Sequence, residues 1–530
     1  MSFGFLQDMD ILKAANLLND FFSEICCSLP PLDPSKLPHF PHVPTTLPQI
    51  ENYDIYDKLS KVNIKKSCAP FDPPPRIIKK FALELTEPLT NIINASFRSK
   101  IVPNLWKQGY ITPLPKTNKP ESCNDLRPIT ITSIFARIAE KFAATWIKED
   151  TQAQIDPHQY GNRAKTSTSH YLLYLMDYIY RTTDAPGENV ALLSIDFSKA
   201  FDRVNHNIAV KHLLNNGMRP ELAGWVTSFL SNRSQAVRFN GTISDMRLIT
   251  CGVPQGTVLG PLIFNNHINS AGKTEQMQCK YVDDLTIACK YNKNNLPITQ
   301  IQANRLSEWS TLNDMEINGN KSKLMLIDFS KNKVQVNDIS IQDETVPQVN
   351  EICLLGLTIS NNLQWKQNSQ KIVVKASKRL FAVKKLKTFK ASQPELVTYF
   401  TSFIRPILEY ASSVWCTSIT QKESIAIERV QKRFCRIVLG QQYVCYNDAL
   451  KQLSLEKLED RRITCFRKDS IKLFNDPEHR SILPDNCKTN STMNLRHSVK
   501  LQPIRYKTDR YKKSAVPQMT EYLNSALEPD

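Results

Sequence analysis

No apolar run in the chain approaches the ~20 residues that cross a bilayer, and its start, MSFGFLQDMDILKAANLL, lacks the basic segment and apolar core of a secretory signal. These absences argue against a membrane-spanning or secreted protein and predict a cytoplasmic or nuclear location. The 13 cysteines include no C-x-x-C pair, and no histidines have zinc-finger spacing. We therefore expect reduced thiols and no structural zinc.

Charge is unevenly distributed in this chain of 530 residues. Its net charge is +17, which suits a polyanionic partner, and acidic residues are absent from 366 to 390, where nine Lys or Arg occur. An apolar stripe at helical spacing runs through the same segment, on Val373, Ala376, Leu380 and Val383. A second basic amphipathic segment is SIAIERVQKRFCRIVLG. The alternative is an ordinary solvated face, but the lack of acidic partners favours contact with a phosphate backbone.

Periodicity predicts mixed helices and strands. One short helix is expected at AANLLNDFFSEI, then a linker with seven prolines from Pro30 to Pro48. Helical spacing starts at Pro75 with an interruption at Pro88, and another helix is expected after an N-cap at Ser133. NVALLSID predicts a buried strand, followed by a helix through Phe201 to Leu214 that stops near Gly217.

Further strands and turns complete the pattern. AVRFNGTISDMRL predicts a hairpin around Asn240-Gly241, and KLMLIDF and ICLLGLTI each predict one short strand, after a helix around Ile301 to Leu312. The regular alternation of a doubly wound sheet is missing, so the fold class is α+β.

Adjacent carboxylates in CKYVDDLTIAC, Asp283 and Asp284, lie between two short strand patterns. The alternative is a solvated turn, which Asp favours. Phosphoryl transfer with two divalent ions instead needs carboxylates that converge from different strands, and Asp196 ends the strand NVALLSI. Bound cations would offset the repulsion between the neighbouring acids, so the pattern favours a two-metal site.

Three blocks, LLSIDFSKAFDRVNH, CGVPQGTVLGPLIFNNHIN and YVDD, resemble the palm motifs of reverse transcriptases. Other blocks resemble the non-LTR (LINE-like) retrotransposon branch, including KKSCAPFDPPPRIIKK, VPNLWKQGYITPLPK, DLRPITITSIFARIAEK, INGNKSKLMLIDFS and IRPILEYASSVW. The resemblance extends from about Lys65 to about Gly440. It implies an RNA-directed DNA polymerase that extends a DNA primer on an RNA template with deoxynucleotides. It also implies two Mg²⁺ ions, with Mn²⁺ as the alternative.

The implied fold is a right hand, with an antiparallel palm sheet backed by helices, fingers before and within it, and a helical basic thumb. We expect an N-terminal helix and linker over 1–60, fingers and the start of the palm over 61–190, the palm over 191–362, the thumb over 363–440 and a C-terminal extension over 441–530.

The resemblance implies a role for each matching residue. The metal ligands would be Asp196, Asp283 and Asp284. The incoming nucleotide would meet Lys116, Arg127, the backbone amides of Phe197 and Ser198, the sugar gate Phe201, and the turn residues Gln255 and Gly256. Lys321 would protonate pyrophosphate, Leu355 and Gly356 would grip the primer, and the duplex backbone would contact Lys378, Arg379, Lys384 and Lys385.

Several of these roles have alternatives. Phe201 could instead be a core residue of the following helix, and PQG a plain turn. Lys116 and Arg127 could be surface charges, and Lys323 competes with Lys321. The Leu355-Gly356 pair could belong to a buried apolar strand with a bulge.

Two departures from the LINE-like pattern bear on function. The leader before Lys65 is short and proline-rich, which predicts that no endonuclease precedes the polymerase, and no zinc knuckle or ribonuclease H constellation follows Gly440. The alternative functions are a catalytically silent nucleic-acid-binding relic and a domesticated or intron-associated reverse transcriptase.

Overall fold

The computed structural model describes residues 3–38, 47–273, 276–487 and 500–526. Part of the proline-rich segment, residues 39–46, therefore lies outside the described residues. In the described part of the chain, no helix combines the length and the apolar character that crossing a bilayer requires.

Helices and strands alternate irregularly along the chain. The helices are α1 (Ile11–Cys26), α2 (Asn52–Ser60), α3 (Pro75–Lys80), α4 (Ala82–Ser99), α5 (Ile134–Thr151), α6 (Thr168–Asp184), α7 (His206–Asn215), α8 (Pro220–Leu230), α9 (Leu259–His267), α10 (Thr299–Leu312), α11 (Lys366–Thr388), α12 (Gln393–Tyr399), α13 (Arg405–Glu409), α14 (Ser412–Trp415), α15 (Gln421–Leu439), α16 (Tyr446–Gln452), α17 (Leu458–Phe474), α18 (Asp509–Lys512) and α19 (Ala515–Ala526).

The strands are β1 (Gln108–Pro115), β2 (Leu126–Ile131), β3 (Asn189–Ile195), β4 (Arg233–Phe239), β5 (Thr242–Ile243), β6 (Arg247–Ile249), β7 (Met277–Tyr281), β8 (Asp284–Tyr291), β9 (Lys323–Ile327), β10 (Ser340–Ile341), β11 (Glu344–Thr345), β12 (Glu351–Leu354) and β13 (Leu357–Ser360). Helix and sheet are thus mixed without a repeating βα unit, as expected for the α+β class.

The chain divides into two compact units whose segments interleave. Unit 1 comprises Met1–Arg163, Phe197–Lys273 and Arg305–Asn318, and unit 2 comprises Ala164–Asp196, Thr274–Asn304 and Gly319–Asp530.

Unit 1 contains a five-stranded sheet in the order β2-β1-β4-β5, with β6 also paired to β4. The β1 and β4 strands run parallel, and the other pairs are antiparallel. The apolar face of α1 packs on this sheet through Leu18 and Phe22, which share a core with Ile111, Val237 and Phe239. The expected hairpin is confirmed, since Phe239 pairs with Thr242 around a two-residue turn.

Unit 2 contains a four-stranded antiparallel sheet in the order β7-β8-β3-β9. One of its two central strands, β3, is the predicted NVALLSI strand, and it is almost wholly buried. The α6 helix joins the sheet through the Tyr171 hydroxyl, which donates to the Thr286 hydroxyl oxygen on β8 at 2.6 Å. This buried bond fixes α6 beside the strand that begins at Asp284.

Three expectations about element boundaries are wrong. Pro88 lies inside α4, and the break falls earlier, at Phe81, whose backbone (φ −99°, ψ 33°) leaves the helical region. The helix after Asp196 begins only at His206, because the Asn205 side chain caps it by accepting from the Ile208 amide. Phe201 therefore precedes that helix.

The third error concerns ICLLGLTI, which forms two strands, β12 and β13, instead of one. Leu354 pairs with Leu357, so Leu355 and Gly356 form a two-residue turn. Both have positive φ, 47° and 84°, as a type I′ hairpin turn requires. The turn was not predicted because the surrounding sequence is apolar and only Gly356 is a typical turn residue.

Candidate active site

The three predicted metal ligands lie at one end of the unit 2 sheet. Asp196 follows β3 directly, and Asp283 and Asp284 lie where β7 turns into β8. Ile195 pairs with Leu285, so continuing the antiparallel register by one residue brings Asp196 opposite Asp284. The sheet thus brings together carboxylates from two strands that are distant in sequence.

The electrostatics of Asp284 reflect its proximity to the other two acids. Loss of water around Asp284 raises its pKa to about 6, and repulsion from Asp283 and then Asp196 contributes to this rise. Its side chain nevertheless remains accessible to solvent. Partial burial also raises the pKa of Asp196, and Lys321 opposes that rise. Because two neighbouring carboxylates raise the pKa of Asp284, the three acids form a donor set that a hard divalent cation would stabilise.

Lys321 lies beside Asp196. Ser194 pairs with Lys323, and the same register continued by two residues brings Lys321 opposite Asp196. The adjacent Ser322 hydroxyl accepts from the Asp196 amide at 3.2 Å. Of the two competing lysines, Lys321 is therefore the one whose charge acts on Asp196, while its role in proton transfer stays a prediction.

The turn between β7 and β8 is strained. Val282 has φ 62°, a left-handed conformation that β-branched residues rarely adopt. Tyr281 pairs with Asp284, so Val282 and Asp283 are the two turn residues, and Asp283 is held at the hairpin tip. Backbone strain of this kind costs about 1 to 3 kcal/mol and is concentrated at functional sites.

A second group of predicted residues lies in unit 1 around β2. Arg127 is on β2, opposite Leu114, and Lys116 follows β1 at the same end of the strand pair. Both side chains are exposed. The Lys116 ammonium donates to the Asn124 carbonyl at 2.8 Å. The two cations therefore flank one loop, an arrangement open to an anionic ligand.

The PQG turn packs against the same strand. The Thr130 amide on β2 donates to the Gln255 carbonyl at 2.7 Å. Gly256 has φ 125°, and a Cβ there would lie 2.5 Å from the Thr130 carbonyl oxygen. Only glycine allows this close approach, so the turn is a specific backbone contact.

Phe201 lies beside this turn and outside any helix. Its carbonyl accepts from the Val253 amide at 2.8 Å, and its ring stacks on Phe264 with centroids 4.3 Å apart. The ring is half-buried. A position in the following helix is thereby ruled out, although contact with a sugar stays a prediction.

Asp202 belongs to this group of residues, although the sequence motifs predicted no role for it. Its carboxylate accepts from the Gln255 side-chain amide at 2.9 Å. Burial raises the pKa of Asp202, while the Gln255 hydrogen bond and the charges of Lys199 and Lys116 oppose the rise. Asp202 thus connects the PQG turn, through Gln255, with the cation Lys116 and with Phe201, its neighbour in the chain. The sequence feature that could have indicated Asp202 is its position in SKAFD, directly after Phe201.

The amides of Phe197 and Ser198 lie elsewhere in unit 1. Phe197 forms an isolated antiparallel bridge with Ile317, and the Ser198 amide donates to the Glu316 carbonyl at 2.8 Å. The Ser198 amide is therefore already satisfied within the protein, so a triphosphate contact there would have to replace this bond.

The remaining predicted residues belong to unit 2. Leu355, which is half-buried, and Gly356, which is exposed, form a hairpin tip and not a buried strand, and the Tyr410 hydroxyl donates to the Leu355 carbonyl at 2.7 Å. The four predicted backbone contacts on α11 are all exposed: Lys378, Arg379, Lys384 and Lys385. Arg379 also donates to the Phe403 carbonyl at 2.7 Å.

Comparison with known proteins gives a family whose chemistry is consistent with these carboxylates. Residues 114–359 match the family described as reverse transcriptase (RNA-dependent DNA polymerase). This segment, which contains all three aspartates, is a reverse transcriptase domain. It is of the non-LTR, LINE-like type, as its named relatives indicate, and the prediction from its motifs is confirmed.

Three relatives come from Drosophila melanogaster. A probable RNA-directed DNA polymerase from transposon X-element is 27% identical over 68% of this chain and 41% of its own length. The corresponding protein from transposon BS is 24% identical over 75% and 46%. The RNA-directed DNA polymerase from mobile element jockey is 23% identical over 78% and 46%. The chain thus spans less than half the length of these relatives.

Among solved structures, apo telomerase from Candida tropicalis, truncated from its C-terminal domain, aligns over 52% of this chain and 59% of its own, with 12% identity and a TM-score of 0.33. This likeness is too distant to define the fold of the present chain.

Proposed function

We propose that the chain is an RNA-directed DNA polymerase that extends a DNA primer on an RNA template with deoxynucleotides. The observation that carries the proposal is the convergence of Asp196, Asp283 and Asp284 at one sheet end within a reverse transcriptase domain. In right-hand terms, the unit 2 sheet is the palm, α11 and α15 belong to the thumb, and β1 and β2 belong to the fingers.

Asp196 and Asp283 would each bind two Mg²⁺ ions, with Asp284 as the third carboxylate, because hard oxygen ligands suit this cation. When bound, such ions would supply positive charge at the primer 3′-hydroxyl and at the leaving pyrophosphate. The side chains of the protein then have separate tasks. Asp202 would orient Gln255 beside the nascent base pair, and Lys321, which lies beside Asp196, would donate a proton to the departing pyrophosphate.

Lys116 and Arg127 would hold the triphosphate. Lysine supplies a compact charge and arginine a planar fork that binds two phosphate oxygens. Their exposure at one end of the β1–β2 pair supports this assignment. Leu355 and Gly356 would contact the primer from their hairpin tip.

Primer extension tests the proposal. Purified full-length protein is given a DNA primer annealed to RNA, with Mg²⁺ and deoxynucleotides, and the products are sized. We expect template-length DNA, and much less product with ribonucleotides. Binding of the primer-template without any extension would favour the silent relic instead.

Phe201→Val is expected to raise ribonucleotide use clearly while deoxynucleotide use keeps a similar order of magnitude. A pocket that merely tolerates an added hydroxyl discriminates only ~10²-fold, whereas a ring against C2′ excludes the hydroxyl sterically. The ratio of kcat/KM for the two sugars measures this effect. Phe229→Val, a substitution in the buried core of unit 1, controls for general destabilisation. An unchanged ratio in Phe201→Val would remove the gate role.

Replacing the four exposed α11 cations with glutamine should weaken template-primer binding and flatten its dependence on salt. Each neutralised phosphate contributes about 0.9 to the slope of log affinity against log salt, so a decrease of up to about 3 to 4 is expected. The control changes four exposed lysines of α16, α17 and the turn between them, Lys451, Lys457, Lys468 and Lys472. Equal slopes in the two variants would assign the α11 face to solvent.

A further inference from the structure

Two histidines and an aspartate converge in unit 2, apart from the catalytic carboxylates. One ligand atom from each of His170, Asp476 and His479 lies within 4.8 Å of the other two. The imidazole rings are 4.2 Å apart between centroids and tilted by 43°. The cluster joins the first turn of α6 to the loop that follows α17.

The backbone holds these side chains in place. His170 is the third residue of α6, and its amide donates to the capping Ser167 hydroxyl at 3.3 Å. In the loop after α17, the Asp476 carboxylate accepts from the Glu478 amide at 2.9 Å, and its carbonyl accepts from the Arg480 amide at 2.8 Å. This turn places Asp476 and His479 on one side, and His479 is only 3% exposed.

A second, independent observation is the unsatisfied hydrogen-bonding capacity of the His170 Nδ1 atom. This atom is buried and has no hydrogen-bond partner among the described residues. A buried ring nitrogen without a partner is costly, and a bound cation would satisfy it. Two imidazoles and one carboxylate are a donor set typical of Zn²⁺, with water in the fourth position.

We propose that His170, Asp476 and His479 bind one Zn²⁺ ion, which fastens the loop after α17 to the start of α6. This zinc clamp, formed by the ion and its three ligands, would also help to fix α6 against the sheet that carries the three aspartates. The residue after His170, Tyr171, is hydrogen-bonded to Thr286 on β8. The ion would act as a structural support and take no part in phosphoryl transfer. Spacing could not reveal this site, since only the D-x-x-H pair is local in sequence.

Metal analysis of the full-length protein tests the clamp without using polymerase activity. The chelator-treated protein is titrated with Zn²⁺ in excess Mg²⁺, which occupies the catalytic carboxylates. We expect close to one Zn²⁺ per chain and a higher melting temperature on binding. His170→Gln should weaken Zn²⁺ binding about 100-fold or more, since even indirect perturbation of a metal site costs 10- to 100-fold. Glu478→Gln, an exposed acid in the same loop, should bind as the parent does.

Co²⁺ substitution in the parent protein keeps the test decisive if His170→Gln fails to fold. Visible absorption of four-coordinate Co²⁺, without a thiolate charge-transfer band, would support the assignment. A thiolate band would place the metal on cysteines and overturn it. Failure of the parent to bind Zn²⁺, or unchanged binding in folded His170→Gln, would also overturn it, and the two rings would then be a packed pair beside Asp476.

Discussion

Asp283→Asn is expected to reduce primer extension at least about a thousandfold while changing template-primer affinity less than about twofold. A loss of ~4 kcal/mol of transition-state stabilisation corresponds to that factor in rate. Asparagine keeps the size of the side chain but removes the charge that a divalent ion requires. Affinity for the polyanion comes mainly from lysines and arginines elsewhere, such as those of α11.

The matched control for this variant is Asp343→Asn. Asp343 also lies at the second position of a two-residue turn in unit 2, between β10 and β11. It shares the turn position of Asp283 but lies outside the group formed by Asp196, Asp283 and Asp284. Single-turnover extension should therefore be unchanged in Asp343→Asn. Extension near the parental rate in Asp283→Asn would remove this residue from the metal site.

Gly256→Ala is expected to destabilise unit 1 by about 3 kcal/mol or more, because two costs add. The backbone at φ 125° is unfavourable for any side chain, and the new Cβ would lie 2.5 Å from the Thr130 carbonyl oxygen. That oxygen cannot retreat freely, since the Thr130 amide is bonded to Gln255. Denaturant unfolding measures the loss, and extension should fall with it.

Gly241→Ala separates the two costs. Gly241 also has positive φ, 91°, in the β4–β5 turn, but nothing lies within 4 Å of its ideal Cβ. Its variant should lose only about 1 to 2 kcal/mol from backbone strain. Equal losses in the two variants would mean that the close approach of the PQG turn to β2 does not occur in solution.

Local signals in the sequence were sufficient to predict much of the candidate active site. A continuous apolar run predicted β3 and placed Asp196 at its end, and β-branched flanks predicted the hairpin that holds Asp283. Asn240-Gly241 predicted its turn because two positive φ angles favour those residues. The N-cap at Ser133 was also confirmed, since its hydroxyl accepts from the Phe135 amide.

Other features depend on tertiary contacts that periodicity does not encode. Pro88 is accommodated within α4, whose face packs through Leu89, Ile93 and Phe97. Leu355 adopts a left-handed turn conformation against its own preference. Lys321 becomes distinguishable from Lys323 only through the β3–β9 register. The cluster of His170 with Asp476 likewise joins segments that are remote in sequence.

Withdrawal and return of Mg²⁺ during primer extension on RNA tests the central claim most directly. Full-length protein is stripped of divalent ions with a chelator, assayed, and assayed again after Mg²⁺ is restored. We expect no extension without the ion and full recovery with it, while primer-template binding persists throughout. Extension that continues in the stripped protein, or no extension by folded, template-bound protein in Mg²⁺, would contradict the assignment of Asp196, Asp283 and Asp284 as a metal-dependent polymerase site.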